Sequence, residues 1–246
     1  RNTIRDFVDR EILPNASKYD LNEEFPSDVI SKVSDMGLFK LGIDENFGGV
    51  AGSNMHLAIV TEELARGCAS TAVIYASHLS LCAKYIDKFG SDEQKASYLP
   101  KLVTASTLGA LALTEPDAGS DVAAIKTLVT DTDGGFLING SKHFITNAKE
   151  AGVIIVVASR DPSLGYKGLE TFILESPCEG LTITPQTGKL GIRASSTCEL
   201  NFNNVFIPSV NRIGEAGRGF HMTMEVLDIG RILIAAQSVG IAQMAL

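Results

Sequence analysis

The apolar residues of this chain change their spacing near residue 108, and this change limits the possible folds more than any other feature. Upstream, apolar residues recur at helical intervals, as in 29–36; downstream, short β-prone runs such as 153–158 are separated by turn residues. One element cannot follow both periods, so the spacing predicts a helical region over 1–107 and a β region over 108–213. From 214 to 246 the pattern is helical again.

Five helices are expected upstream of residue 108. Proline is expected at helix starts and breaks, and a Ser-x-x-Gln sequence is a capping box. The predicted helices are one over 4–12 that Pro14 ends or bends, one from Pro26 to Gly37, one capped by Ser53, one over 70–89, and one that Ser91 and Gln94 open and that ends around Leu102.

The downstream region reads as several short strands, which favours a small barrel or sandwich over a parallel α/β sheet. The predicted strands are 108–113, 122–130, 136–139, 143–146, 153–158, 171–175, 181–184 and 198–206, with a hairpin turn at 133–135. No glycine-rich dinucleotide or P-loop fingerprint and no Gly-x-Ser-x-Gly motif is present. Rossmann, P-loop and α/β-hydrolase folds are therefore disfavoured.

Composition excludes some classes of function. The net charge is -8 and the isoelectric point is near 5.0, which argues against a nucleic-acid-binding protein. The four cysteines have no metal-ligand spacing, and no run of residues is long and apolar enough for a membrane span. The chain starts at Arg1 without methionine, so we expect a trimmed sequence and leave a removed targeting peptide open.

The stretch from Leu108 to Asp121 is the strongest candidate for a binding site. Its first six residues suit a buried strand, and Pro116, Gly119 and Ser120 then form a turn that should leave backbone N–H groups free. Such groups can hold a diphosphate or the edge of a flat ring, although an ordinary loop would have the same composition.

This stretch gains specificity from a second segment, Asn139 to Asn147. Together, Ala-Leu-Thr-Glu-Pro-Asp-Ala-Gly-Ser-Asp-Val and Asn-Gly-Ser-Lys-His-Phe-Ile-Thr-Asn resemble the flavin-binding signature of the acyl-CoA dehydrogenases. The resemblance implies an α+β protein with an N-terminal helical domain (1–107), a middle β-barrel domain (108–213) and the first helix of a C-terminal helical bundle (214–246). It implies FAD as cofactor, held by Leu111, Ala112, Leu113, Thr114, Gly119, Ser120, Phe144, Ile145 and Thr146.

Two of these residues would have defined roles. Thr146 would bond flavin N5, and Phe144 would form the aromatic wall where the family usually has tryptophan. On periodicity alone, both are same-face residues of an ordinary strand. Two later segments, 189–197 and 202–208, are close to the short-chain, butyryl-like branch, although Arg193 could equally be a structural ion-pair residue.

Substrate contacts are expected from Ser120 and from Asp228, Ile229, Gly230 and Arg231, which the resemblance places along the acyl-CoA thioester. One helical stripe contains Phe220, Met224, Leu227, Arg231 and Ile234, so a cation interrupts an otherwise apolar face. Because a buried charge needs a partner, a salt bridge between Arg231 and Asp228 is the competing interpretation. No catalytic residue is assigned. The family's carboxylate base usually lies beyond residue 246, and in a few branches it occupies the position that is Gly230 here. Glu215 and Glu225 are candidates only by residue type.

The implied function is FAD-dependent oxidation of an acyl-CoA thioester to the trans-2-enoyl-CoA in fatty acid metabolism, by an oxidoreductase that passes electrons to an electron-transfer flavoprotein. The alternatives are an acyl-CoA oxidase and a catalytically silent acyl-CoA-binding relative. We expect a homotetramer of which this chain is a fragment, cytoplasmic in a bacterium or in the mitochondrial matrix of a eukaryote. His56 and His78 are expected to have ordinary packing or surface roles rather than to react, and no metal site is expected.

Overall fold

The computed structural model describes all 246 residues. The helices are α1 Asn2–Phe7, α2 Leu13–Asn22, α3 Ser27–Asp35, α4 Asn54–Gly67, α5 Ala69–Ala76, α6 Lys84–Phe89, α7 Asp92–Leu102 and α8 Gly219–Ala245. The strands are β1 Leu108–Ala112, β2 Leu128–Thr132, β3 Gly135–Thr146, β4 Ala151–Ser159, β5 Leu169–Glu175, β6 Leu181–Pro185, β7 Thr197–Pro208 and β8 Arg212–Ile213. The expected order, helices, then strands, then a final helix, is confirmed.

Two helices are continued through a π-helical segment. Val8–Ile12 joins α1 to α2, and Ser77–Ala83 joins α5 to α6. Of the two outcomes predicted at Pro14, an end or a bend of the first helix, the end is therefore wrong. The π segment shifts the hydrogen-bond register, so Pro14 falls in the first turn of α2, where a missing N–H costs little.

The predicted caps of two helices are present. Ser91 Oγ accepts a hydrogen bond from Gln94 N over 3.2 Å, and Gln94 Oε1 accepts one from Ser91 N over 3.0 Å. At the start of α4, Ser53 N donates to His56 Nδ1 over 3.1 Å. His56 therefore has the structural role that the sequence indicated.

All eight strands join one sheet with the order β6-β7-β3-β2-β4-β5-β8, and β1 pairs with β4 in parallel. The sheet curls around its inner apolar core, because Phe136 on β3 and Phe172 on β5 meet with ring centroids 5.0 Å apart. Strand β4 is almost wholly buried because alternate residues face two cores. Ile154 and Val156 face the inside of the sheet, and Ile155 and Val157 pack with the helices.

The strand predicted over 122–130 is only partly present. A 3₁₀ turn occupies Val122–Ala124, and β2 begins at Leu128. The cause is local, since Asp121 Oδ1 accepts the amide of Ala123 over 3.1 Å and so caps a turn that competes with strand geometry.

The apolar stripe predicted on α8 is also wrong. Ile234 and Arg231 lie on the exposed side of the helix. The buried face consists of Met222, Thr223, Val226, Gly230, Leu233, Gln237 and Gly240. Gly240 permits a close approach to α4, because a Cβ there would lie 2.1 Å from the carbonyl oxygen of Glu62. None of the helices combines the length with the apolar character that crossing a membrane requires.

Candidate functional site

Strand β1 has a paired strand on one side only. All five of its residues are buried, and β4 is its sole partner in the sheet. Hydrogen bonds connect its opposite edge to the end of β3. Asn147 Nδ2 donates to Gly109 O over 3.4 Å, and His143 N donates to Thr114 O over 2.8 Å. The structure therefore places the two segments of the signature side by side, with Leu111, Ala112 and Leu113 on one wall and Phe144, Ile145 and Thr146 on the other.

The end of β3 is irregular, which re-aims its side chains. Its pairing with β7 shifts register between Lys142 and Ile145, and Phe144 has a left-handed φ of 60°. The Phe144 side chain is 63% exposed, whereas Ile145 is buried. Thr146 is partly buried and pairs with Thr197 of β7. A positive φ is unusual for a bulky residue.

The turn after β1 presents free donors. Glu115 and Ala118 close it through two main-chain hydrogen bonds, and the next residues, Gly119 and Ser120, are exposed. The amides of Gly119 and Ser120 donate no hydrogen bond within the chain. This arrangement can accept a diphosphate.

A buried ion pair lies behind this turn, and the sequence reasoning missed it. Lys142 Nζ donates to Glu115 Oε1 over 2.8 Å and to Leu113 O over 2.9 Å. Both side chains are buried. Burial lowers the pKa of Lys142 to about 8 although Glu115 opposes this. Burial alone would raise the pKa of Glu115, but Lys142 and the Thr127 and Lys126 donors hold it below its ordinary value. The alternation of Phe136, Ile138 and Lys142 could have indicated an inward lysine.

His78 fixes the start of β1. Its Nδ1 accepts the amide of Gly109 over 2.9 Å, so Nε2 carries the proton that is donated to Leu102 O, also over 2.9 Å. Burial lowers the pKa of His78 to about 4. The expectation of a packing role is confirmed, and that role is to position the strand.

On α8, Gly230 faces the π-helical segment that packs against β1. A Cβ on Gly230 would lie 3.0 Å from Leu81 Cδ2 and 3.7 Å from Ser80 Oγ. Gly230 therefore lets α8 pack closely against this segment, and it supplies no carboxylate. Asp228 and Arg231 form a salt bridge of 2.5 Å, with side chains 70% and 67% exposed. The expected burial of this pair is wrong, because Arg231 points away from the face that packs.

The remaining candidates have structural partners or lie at the surface. Glu225 pairs with Lys88 over 2.5 Å, and Glu215 is exposed in the turn before α8. Arg193 Nη2 pairs with a Glu23 carboxylate oxygen over 2.8 Å, in agreement with the structural alternative. No group of three histidine, cysteine or acidic side chains is arranged to hold a metal ion.

Comparisons with known proteins identify the family. The sequence profile of the acyl-CoA dehydrogenase N-terminal domain matches residues 1–106, and that of the middle domain matches residues 110–205. The short-chain specific acyl-CoA dehydrogenase of Clostridium acetobutylicum is 41% identical over 99% of this chain and 64% of its own length. The human mitochondrial short-chain specific enzyme is 41% identical over 99% of this chain and 59% of its own length.

Solved structures agree. A chain from the structure described as the electron transferring flavoprotein of Acidaminococcus fermentans has a TM-score of 0.96 at 35% identity, covering 99% of this chain and 64% of its own. Butyryl-CoA dehydrogenase from Megasphaera elsdenii has a TM-score of 0.94 at 37% identity, and the match covers 98% of this chain and 64% of the other. A Mycobacterium smegmatis glutaryl-CoA dehydrogenase in complex with FADH2 has a TM-score of 0.90 at 28% identity, and the match covers 97% of this chain and 60% of the other. The chain thus spans about 60% of the length of its relatives, and it belongs to the acyl-CoA dehydrogenase family.

Proposed function

We propose that the full-length protein is an FAD-dependent acyl-CoA dehydrogenase that converts a short acyl-CoA thioester to the trans-2-enoyl-CoA. The observation that carries this proposal is the join between Thr114 and His143, which sets an unpaired strand edge beside Phe144 and Thr146. The Clostridium acetobutylicum, human and Megasphaera elsdenii relatives are named as acyl-CoA or butyryl-CoA dehydrogenases, and one related structure contains FADH2.

The residues fit a flavin by their chemistry. The free amides of Gly119 and Ser120 suit the diphosphate, and the backbone of Leu111 to Thr114 suits the polar edge of the ring. FAD, when bound, supplies the hydride acceptor that the reaction needs. The Thr146 hydroxyl would donate a hydrogen bond at N5, and Phe144 would cover one side of the ring and exclude water.

The thioester would lie between the flavin, Ser120 and the Asp228–Arg231 segment of α8. Gly230 brings this segment of α8 close to Ser80 and Leu81, whose π-helical segment packs against β1. Removal of the α-proton requires a carboxylate base, and residue 230, where a few branches of the family carry it, is glycine here. We propose that a part of the full-length protein outside residues 1–246 supplies the base.

The test is to purify the full-length protein, record its visible spectrum, and add butyryl-, octanoyl- and palmitoyl-CoA without oxygen. Loss of the flavin absorption near 450 nm, greatest with butyryl-CoA, supports the proposal. A protein that binds no flavin, or a flavin that no acyl-CoA bleaches, contradicts it; the second result favours a silent acyl-CoA-binding relative.

The electron acceptor needs a separate experiment. We propose an electron-transfer flavoprotein, because the family resemblance implies it and one similar structure bears that description. After reduction by butyryl-CoA, rapid re-oxidation by electron-transfer flavoprotein and slow re-oxidation by air are expected. The reverse order identifies an acyl-CoA oxidase.

Two further proposals have their own tests. Analytical ultracentrifugation tests the homotetramer that we also propose. Cell fractionation of the source organism tests the cytoplasmic or mitochondrial location.

A further inference from the structure

The buried pair of Glu115 and Lys142 lies where the segment after β1 meets the end of β3. Lys142 immediately precedes His143, whose amide bonds Thr114, and its own ammonium reaches the carbonyl of Leu113 over 2.9 Å. The Lys142 side chain thus holds Leu113, and the backbone amide of His143 holds Thr114.

Glu115 completes the connection from the other side. Its carboxylate accepts the amides of Lys126 over 2.7 Å and Thr127 over 2.9 Å, in addition to the Lys142 ammonium. The pair therefore connects β1, the segment that leads into β2, and the irregular end of β3. Each carboxylate oxygen and the ammonium have partners within hydrogen-bond distance, as a buried charge requires.

We propose that Lys142 and Glu115 are positioning residues for the flavin. They would hold the backbone of Leu113 and Thr114 in register with Phe144 and Thr146, so that the polar edge and N5 of one ring are engaged together. This inference rests on the proposed function, and it assigns a role to residues that do not themselves touch the ring.

The pair also has an electrostatic consequence. Reduction of a flavin places negative charge along the edge that Leu113 and Thr114 would face, and a cation held one residue away stabilises that form. Replacing Lys142 by methionine leaves the Glu115 carboxylate, so it both loosens the wall and adds uncompensated negative charge. Replacing Glu115 by glutamine keeps one acceptor oxygen and sets an NH2 group against one of the two backbone amides, but it adds no negative charge.

The experiment compares Lys142→Met, Lys142→Arg and Glu115→Gln with wild type in the full-length holoprotein. Glu63→Gln is the matched control, because Glu63 is also a buried carboxylate with basic partners, Arg1, Arg5 and Arg66, but lies on α4. Lys142→Met should weaken the binding of reduced relative to oxidised flavin at least tenfold, which is about 30 mV toward negative potential for two electrons. Lys142→Arg should keep the flavin potential close to that of wild type. Neither Glu115→Gln nor Glu63→Gln should lower the potential.

A second readout needs no flavin. In the apo-protein, Lys142→Met and Glu115→Gln should increase amide hydrogen exchange at residues 108–115 and 142–147 by tenfold or more relative to wild type, whereas Glu63→Gln should leave these segments unchanged. If Lys142→Met does not fold, hydrogen exchange at these segments can still be compared between Glu115→Gln, Lys142→Arg and Glu63→Gln.

The outcomes separate the two proposals. A wild-type protein without flavin contradicts the proposed function. A wild-type protein that is reduced by butyryl-CoA, with variants whose potentials and local exchange match those of Glu63→Gln, overturns the positioning role alone.

Discussion

The amide of His143 lies 2.8 Å from the carbonyl oxygen of Thr114, and this hydrogen bond joins the segment after β1 to the end of β3. Asn147 makes a second connection, since its Nδ2 reaches Gly109 O over 3.4 Å. The Oδ1 of Asn147 is buried without a hydrogen-bond partner. The residues between these two connections belong to the two segments that resemble the flavin-binding signature.

Thr146→Val should slow flavin reduction by butyryl-CoA roughly ten- to a hundredfold, because a donor aimed at developing charge acts mainly in the transition state. Retention of FAD should change less than threefold. Stopped-flow reduction and flavin titration measure the two effects. Thr130→Val, an exposed threonine on β2, is the matched control. Equal reduction rates in Thr146→Val and Thr130→Val would contradict the proposed role at N5.

Phe144→Asn should stabilise the apo-protein by roughly 0.5 to 1 kcal/mol, because asparagine tolerates the left-handed φ of 60° better than phenylalanine does. The same change should weaken FAD binding, since the aromatic wall is lost. Urea unfolding and flavin titration measure the two effects. Phe206→Asn is the control, as Phe206 is a half-exposed strand residue without positive φ and should give no gain. A destabilised Phe144→Asn apo-protein would argue that the ring packs against the chain itself.

The buried imidazole of His78 should make stability depend on pH. Its folded pKa of about 4 lies below the ordinary value of 6.5, so the unfolded chain binds the proton first and stability is lost as pH falls between these values. From about pH 7 to pH 5, this group should cost roughly 2 kcal/mol. His78→Leu should be less stable at neutral pH and show a flatter pH dependence in urea unfolding. His221→Gln, at an exposed position, should keep the wild-type slope. An unchanged slope in His78→Leu would contradict this assignment.

Arg193→Met should loosen residues 188–195 without unfolding the protein. Arg193 bonds Asp20 O and Lys189 O, each over 3.0 Å, but the ion pair with Glu23 is partly exposed, so about 1 kcal/mol is expected. Hydrogen exchange of the loop measures this. Exchange equal to that of wild type would show that the remaining bonds, such as those of Gly188 to Glu23 and of Lys189 to Ile192 O, hold the loop without the Arg193 side chain.

Sequence patterns predicted the elements that depend on local chemistry. The Ser91–Gln94 capping box is present, and β4 lies where the β-rich run 153–158 indicated. The two segments that resemble the flavin-binding signature lie side by side, joined by the hydrogen bond between His143 and Thr114, and their role in binding flavin stays a prediction.

The features that were missed depend on pairs of distant residues. The pairing of Glu115 with Lys142 joins positions 27 residues apart, and neither residue shows by itself which partner it will meet. The face of α8 was assigned wrongly because the pattern weighted large apolar residues, whereas Gly230 and Gly240 form the closest contacts. The positive φ of Phe144 follows from a register shift against β7, which no local propensity predicts.

A crystal structure of the full-length protein with FAD and a butyryl-CoA analogue would show where the flavin ring lies. We expect the ring against the ends of β1 and β3, with N5 within hydrogen-bond distance of Thr146 and its polar edge against the backbone of Leu111 to Thr114. A flavin bound away from both Thr146 and the Leu111 to Thr114 backbone would contradict the proposed site.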